Sequence, residues 1–368
     1  MSRPLPLAAW RRHLAAGALA VAAALAATLP ATARAEIPVQ SVTISSKPIA
    51  HFRIGRPEQT RFGSLTFLGG LELLAGNRHM GGLSGLVVSP DGDRIVAVAD
   101  NGLWLTADIE SAPDGRPLAI ANATVAPVLG PGGRALLDRG RGDAEALALR
   151  LDGVGGSGTL FVATERDHNI YAFPWPLDLS AAGTALDLPA GIKQLRHNKG
   201  MEAVAFANSG PLEGSLVVIA ERGPGFNSDL PGFLIGGATP GTFTVVRQDS
   251  YDATDASFLP DGDLLLLERR FTLRHGIGMR LRLLPAAEIA PGALVTGHVL
   301  MEAGFAEQID NMEGVSVHVN KAGETIVSLI SDDNRSILQR TLFLRFRLDD
   351  TGTPTGAATD TAPDTGRP

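Results

Sequence analysis

One pattern returns five times along the chain: a small or acidic residue, a run of alternating apolar positions, a turn, a second apolar run, then a charged or amide cluster. It reads GGLSGLVVSPDGDRIVAVADNG from Gly81, DAEALALRLDG with GTLFVATERDHN from Asp143, and KGMEAVAFANSGPLEGSLVVIAERG from Lys199. The fourth and fifth copies are DASFLPDGDLLLLERRF from Asp255 and DNMEGVSVHVNKAGETIVSLISDDN from Asp310. Alignment on Ser84, Glu145, Glu202, Asp255 and Glu313 gives steps of 61, 57, 53 and 58 residues, near the length of one four-stranded propeller blade. Within a copy the apolar positions alternate with period 2, and turn signals such as Asp91-Gly92, Asp152-Gly153 and Asp261-Gly262 separate the two runs. Each copy therefore reads as a β-hairpin.

The rest of the chain fits the same architecture. No long segment beyond the N-terminus holds a 3.6-residue apolar stripe, and 43 Gly and 24 Pro punctuate it throughout. The fold class is all-β: a propeller of four-stranded antiparallel blades over residues 36–348, six blades by the ratio of length to period, with five as the alternative count. Strand-like segments at Val42 to Ser45, Ser64 to Leu68 and Thr341 to Leu348 predict one blade shared by both termini, which closes the ring and removes exposed edges. The tail 349–368 is almost devoid of apolar residues and is expected to be disordered.

Residues 1–35 read as an export signal. Arg3, Arg11 and Arg12 precede the apolar stretch Leu14 to Leu29, and Ala33-Arg34-Ala35 is a small-x-small cleavage site, so a periplasmic or secreted protein starting at Glu36 is expected, by the Sec or the twin-arginine route. Removing that segment, with its four arginines and no acid, moves the formal charge from -7 to -11. A chain this acidic is no general binder of nucleic acid or anionic lipid, and no membrane span is expected after signal removal. The absence of cysteine excludes disulfides, thiolate metal sites and thiol catalysis. The remaining chain is long enough to bury a large core and to act as a monomer.

A hairpin brings its two outer ends together. Strand starts (Glu145, Glu202, Asp255, Glu313) and strand-end clusters (Asp100, Glu165-Arg166, Glu221-Arg222, Glu268-Arg269-Arg270, Asp332-Asp333) are thus expected at one mouth of the ring, with the turns at the other. Crowded carboxylates need a cation, a proton or an arginine to neutralise them. With oxygen ligands only, Ca²⁺ is the favoured ion, then Mg²⁺ or Mn²⁺. The competing reading is architectural, with each carboxylate paired to an arginine of a neighbouring blade. Arg166, Arg222, Arg269 and Arg270 are candidates for gripping an anionic substrate, with Arg280 and Arg282 behind them; His168, His197 and His79 lie near the same mouth. Gly82-Leu83-Ser84-Gly85-Leu86 lacks the last glycine of a nucleophile elbow, and the chain carries no P-loop and no H-E-x-x-H.

EALAL with LFVATERDHNIYAF, ERRFTLRHGIGMRLRLL, and DNMEGVSVHVNKAGETIVSLISDDN followed by QRTLFLRFRL resemble the phytase-like domain known as "esterase-like activity of phytase". The resemblance runs from about Phe67 to Leu348. It implies a propeller related in plan to calcium-dependent β-propeller phytases, in which rim carboxylates hold Ca²⁺ and basic side chains grip phosphate. Against that plan, the chain has only four lysines, Lys47, Lys193, Lys199 and Lys321, so its rim suits a less charged ester than an inositol polyphosphate.

The resulting expectation is a metal-dependent phosphoric ester hydrolase acting on a small-molecule ester or phosphoester. Glu145, Glu202, Asp255, Glu313 and Asp332 would be metal ligands; Glu313, Asp332 and Asp333 would be catalytic; Arg166, Arg222, Arg269, Arg270 and His168 would bind substrate. The alternatives are a propeller lactonase or carboxylic esterase, and a non-catalytic periplasmic binding propeller.

Overall fold

The computed structural model describes residues 38–349 apart from 78–79, 140–141, 154–155, 197–198, 226–227 and 273–275. The expected signal peptide, the tail beyond residue 349, His79 and His197 lie outside the described residues.

Four N-terminal strands come first: β1 (Gln40–Ser41), β2 (Ile44–Ile49), β3 (Arg61–Phe62) and β4 (Leu65–Ala75). Blade one follows as β5 (Leu83–Val88), β6 (Arg94–Ala99), β7 (Leu103–Ser111) and β8 (Pro117–Pro127), and β1 pairs antiparallel with β8 at its outer edge. Blade two is β9 (Ala144–Leu151), β10 (Gly158–Thr164), β11 (Asn169–Trp175) and β12 (Thr184–Ala185). Blade three is β13 (Met201–Phe206), β14 (Ser215–Ala220), β15 (Leu230–Gly236) and β16 (Gly241–Val245). Blade four is β17 (Asp252–Phe258), β18 (Leu264–Thr272), β19 (Gly276–Leu284) and, after the short β20 (Leu294–Val295), β21 (His298–Ala303); β20 lies parallel to β16 and extends blade three. Blade five is β22 (Asn311–Val319), β23 (Thr325–Asp332) and β24 (Thr341–Leu348), completed by β4 and β2, with β3 also paired to β4.

The ring therefore has five blades, not six. The surplus length that suggests a sixth is absorbed without new blades: β1 widens blade one, β20 widens blade three, and the fifth hairpin is itself the blade shared by both termini. β24 pairs with β4 from Thr341↔Leu73 to Leu348↔Leu65, so the chain ends close the circle through backbone hydrogen bonds.

Period-2 alternation builds the cores between blades. In β6, Ile95 and Ala97 pack towards blade five, whereas Val96 and Val98 pack towards blade two. In β10, Leu160 and Val162 join the core with blade one, and Phe161 and Ala163 join the core with blade three. β14 and β18 divide in the same way, with Val217 against Val218 and Leu266 against Leu267. Because a blade buries both faces, its second strand reads as a continuous apolar run, such as Leu264 to Leu267, rather than an apolar-polar alternation. Five cores fill the five gaps between blades, and the inner strands neighbour one another in the circular order β5, β9, β13, β17, β22 and back to β5. The seam is stiffened by aromatics: Phe52 sits 4.9 Å from Phe62 and 5.0 Å from Phe346, ring centre to ring centre.

Every inner strand carries an irregularity near its start. The pairing with the second strand skips one residue at Ser84, Glu145, Glu202, Thr254 and Glu313. A bulge leaves one residue out of the ladder and re-aims its side chain. Repeated in all five blades, the bulge defines the mouth of the ring at which the chemistry collects. Among the described residues no helix is long and apolar enough to cross a membrane.

Candidate functional site

The bulge corrects the sequence alignment by one residue. The fourth-blade counterpart of Glu145, Glu202 and Glu313 is Thr254, and its hydroxyl lies 3.2 Å from the Met312 carbonyl, to which it donates. Asp255 occupies the next register position, where blades one and five have Gly85 and Gly314. Its side chain is fully buried and turns to backbone: Oδ1 accepts the Ala256 N–H at 2.8 Å, Oδ2 accepts the Val315 N–H at 2.8 Å, and the Leu86 N–H is a further donor. Burial pushes this carboxyl well above the ordinary range, and the three N–H groups offset part of that. Asp255 thus ties blade four to blades five and one.

The other bulge residues converge. The Ser84 hydroxyl hydrogen-bonds Glu145, which is pushed well up by burial first and then by Asp143, Glu313 and Glu165. Glu202 is likewise raised by burial and by Glu145, Glu221, Glu313 and Glu165. Glu165 follows the second strand of blade two; burial raises it, the Gly200 N–H donates to its Oε1 at 3.0 Å, and its carboxyl hydrogen-bonds that of Glu202. Asp143, Glu145 and Glu165 each place one carboxylate oxygen within 4.8 Å of the others. Asp143 is the member that the hairpin alignment overlooks. Its signal is the acid pair of Asp143-Ala144-Glu145 at the approach to β9, where the bulge at Glu145 lets both carboxylates reach the mouth.

Glu313 stands across the mouth. Its Oε1 receives Arg269 Nη1 at 2.8 Å and Asn311 Nδ2 at 2.8 Å. Burial dominates and, with the Asp332 and Glu221 charges, lifts Glu313 to about 7 despite the attraction of Arg269. Burial also lifts Asp332 to about 6, opposed by the Asn334 N–H at 2.7 Å and helped by Asp100 and Asp333. Asp333 faces elsewhere: its carboxylate accepts the Gly82 N–H, the Arg335 N–H and the Thr341 hydroxyl.

The arginines divide between the site and the scaffold. Burial works to lower the Arg269 pKa, but Glu313, Glu202, Glu221 and Asp252 outweigh it and hold the guanidinium firmly charged; a second nitrogen lies 3.9 Å from Glu221. Glu221 is also held by Lys199 at 2.7 Å. Arg166 pairs with Asp143 at 2.7 Å, and Arg222 grips both oxygens of Asp252, a carboxylate that Arg247 shares at 2.8 Å. Arg270 lies over the Tyr251 ring, 4.4 Å away. Arg280 and Arg282 clamp Glu268 at 2.5 and 2.6 Å with all three side chains buried, so Glu268 belongs to the interior of blade four and not to the mouth. His168 is buried in a left-handed turn (φ 46°), its Nε2 3.0 Å from the Leu195 carbonyl, which places the proton on that nitrogen.

The structure therefore brings together Asp143, Glu145, Glu165, Glu202, Glu313 and Asp332, with Arg269 paired to Glu313 and Arg166 to Asp143. Ligands 2.3–2.6 Å from a Ca²⁺ ion lie up to about 5 Å apart, so the Asp143, Glu145 and Glu165 oxygens fit a hard divalent ion. At the opposite mouth, the cavity is lined by side chains such as Val88, Leu149, Phe206, Phe258 and Val317, with no acid among them. The chemistry is one-sided.

Comparison with known proteins completes the picture. The profile of the phytase-like family, described as "esterase-like activity of phytase", matches residues 78–335. No match is found among curated protein sequences. Among solved structures, a protein of unknown function from Bacteroides caccae is 11% identical, covering 67% of this chain and 68% of its own, with a TM-score of 0.28. A putative oxidoreductase (glucose dehydrogenase) from Thermus thermophilus is 14% identical over 82% of this chain and 99% of its own, with a TM-score of 0.33. The dihydro-heme d1 dehydrogenase NirN in complex with DHE is 17% identical over 74% of this chain and 49% of its own, with a TM-score of 0.31. The five-bladed ring is defined by the strand pairing of this chain. The profile match spans every hairpin from the first strand of blade one to the loop after the second strand of blade five, and the chain belongs to the phytase-like family described as esterase-like activity of phytase.

Proposed function

We propose that this chain is an exported, monomeric hydrolase of phosphoric esters that works with a divalent cation, Ca²⁺ first, at the bulge mouth of the ring. The observation that carries the reading is the charge imbalance there. Glu145, Glu165, Glu202 and Glu313 are all raised above their ordinary range chiefly by burial, in a cluster where Arg269 pairs with Glu313 and Arg166 with Asp143. Buried acids in that number call for a positive ligand.

Asp143, Glu145 and Glu165 would hold the cation, with Glu202 beside them, and when bound it would supply Lewis-acid stabilisation of phosphoryl charge. Glu313, at about 7, is suited to accept a proton from an attacking water near neutral pH. Asn311 holds the orientation of that carboxylate through its Nδ2–H. Arg269, fixed between Glu313 and Glu221, would meet the phosphoryl oxygens as charge develops on them. The charge of Asp332 raises Glu313 further by repulsion.

The test is a substrate panel of phosphomonoesters, lactones and carboxylic esters, run in Ca²⁺ and in EDTA. Phosphate release in Ca²⁺, lost in EDTA and restored by added metal, is the expected result. Lactone or carboxylic ester opening with the same metal dependence would move the reading to the esterase alternative. No turnover of any class, with no metal effect, would leave a binding propeller.

A further inference from the structure

Beside the acidic mouth, between blades four and five, lies a cavity of about 780 Å³ whose floor includes Arg269, Asn311 and Glu221. That volume falls within the range of small-molecule sites. Three separate segments build its walls. The β18–β19 hairpin runs past Arg269 to Thr272, beyond the length of the corresponding strands β6, β10 and β14, and presents Phe271 and Ile277 as a cross-strand pair. The connection after β21 contributes Phe305 and Ile309, and the loop after β23 contributes Leu338. Phe271, Phe305 and Leu338 are 79%, 71% and 87% exposed, unusual for side chains of this kind gathered in one place.

The charged residues of the lining are balanced, with Arg222, Arg269 and Arg270 against Glu221, Asp252 and Asp310, so the cavity has no excess of cations with which to attract a polyanion. Its apolar walls and its polar floor make it amphipathic. The floor is continuous with the acidic site, because Arg269 and Asn311 both touch Glu313.

From this juxtaposition we infer that the cavity is the subsite for the organic group of the substrate, and that the preferred substrates are monoesters of an aryl or medium-length alkyl alcohol rather than polyphosphorylated polyols. The head group meets Arg269 at the floor, and the apolar group lies between Phe271, Phe305 and Leu338. This assignment rests on the hydrolase reading above for the head group only. The apolar subsite stands on its own geometry.

The experiment is calorimetric binding to the calcium-loaded protein of inorganic phosphate, the non-hydrolysable methylphosphonate and phenylphosphonate, and benzyl alcohol, repeated on Phe271→Ser/Phe305→Ser. Both phenylalanines are mostly exposed, so the double variant should keep the wild-type melting temperature. Burying a phenyl ring predicts that phenylphosphonate binds at least about tenfold tighter than methylphosphonate. In the double variant that ratio should fall towards one while inorganic phosphate binds as before. Equal affinity of phenylphosphonate and methylphosphonate in the wild type, or an unchanged ratio in the variant, overturns the subsite and leaves the hydrolase reading intact. Binding of benzyl alcohol that depends on Phe271 and Phe305, with no affinity for phosphate or either phosphonate, sustains the subsite and removes the phosphoester reading. Absence of all binding overturns both.

Discussion

Glu313 combines a buried carboxylate with two donors on one oxygen, and the balance between them sets a pH dependence. Its carboxyl is raised from 4.5 to about 7, and that of Asp332 from 3.8 to about 6, in both cases chiefly by burial. A raised carboxyl binds more protons in the folded chain than in the unfolded one, so metal-free stability should fall as pH rises from about 4 to about 7. A cation held by the neighbouring carboxylates favours the ionised forms, and its stabilisation should grow over the same interval. Melting curves in Ca²⁺ and in EDTA should therefore differ more at pH 8 than at pH 5; the same difference at both would contradict the linkage. Glu313→Gln retains the shape and can still accept from Asn311 while losing the basic oxygen. If Glu313 is the general base, turnover should fall by about 10²-fold or more, with a melting temperature in EDTA close to wild type. A large fall in melting temperature, with activity lost only in proportion to folded protein, would instead assign Glu313 to the scaffold.

At the scale of the element, the bulge decides which residues meet. The hairpin repeat, its turns and the side of the ring that collects acids were legible in the sequence, because period-2 alternation and Asp-Gly turns are local signals. The bulge is a property of pairing between strands, and in Asp252-Ala253-Thr254-Asp255 an acid one residue away hid the true counterpart, Thr254. Glu268 misled in a similar way. Its Arg neighbours in sequence suggested the rim, yet its partners are Arg280 and Arg282 on the adjacent strand, visible only once Glu268↔Arg280 is known to be a register pair. The glycine after each of two bulges follows from the same geometry. A Cβ on Gly85 would stand 2.7 Å from the Leu147 nitrogen and 2.8 Å from the Ala146 carbonyl carbon, both backbone atoms of blade two that cannot step aside. Gly85→Ala should destabilise the protein by about 1–3 kcal/mol. Gly76→Ala, where a Cβ meets nothing within 4 Å, is the control and should be near neutral. Chemical denaturation of the pair measures the contrast, and equal midpoints would show that blades one and two are looser at the axis than this contact requires.

For the whole molecule, closure is the property on which the site depends, since Asp143, Glu145 and Glu165 come from blade two, Glu202 from blade three, and Glu313 and Asp332 from blade five. The sequence overcounted the blades because the blade shared by both termini was counted in addition to the fifth hairpin, which it contains, and length alone cannot distinguish a widened blade from an additional one. The closing strands cover a largely buried strand: Leu342, Phe343, Leu344 and Phe346 of β24, which pairs with β4, are all inaccessible. A chain beginning at Asn77 would lack β1 to β4, leaving β24 as an apolar edge with unpaired N–H and C=O groups and the core between blades four and five without Phe52, Phe62 and Phe67. Such a chain should lose cooperative melting and self-associate in size-exclusion chromatography. Co-expression of residues 38–76 as a separate polypeptide should restore a monomer-sized complex, because the lost contacts are strand pairing and apolar packing rather than a covalent requirement. A truncated chain that stays monomeric and melts like the full protein would mean that the ring does not need its seam, and that the carboxylates of blades two and five are held together by the inner strands alone.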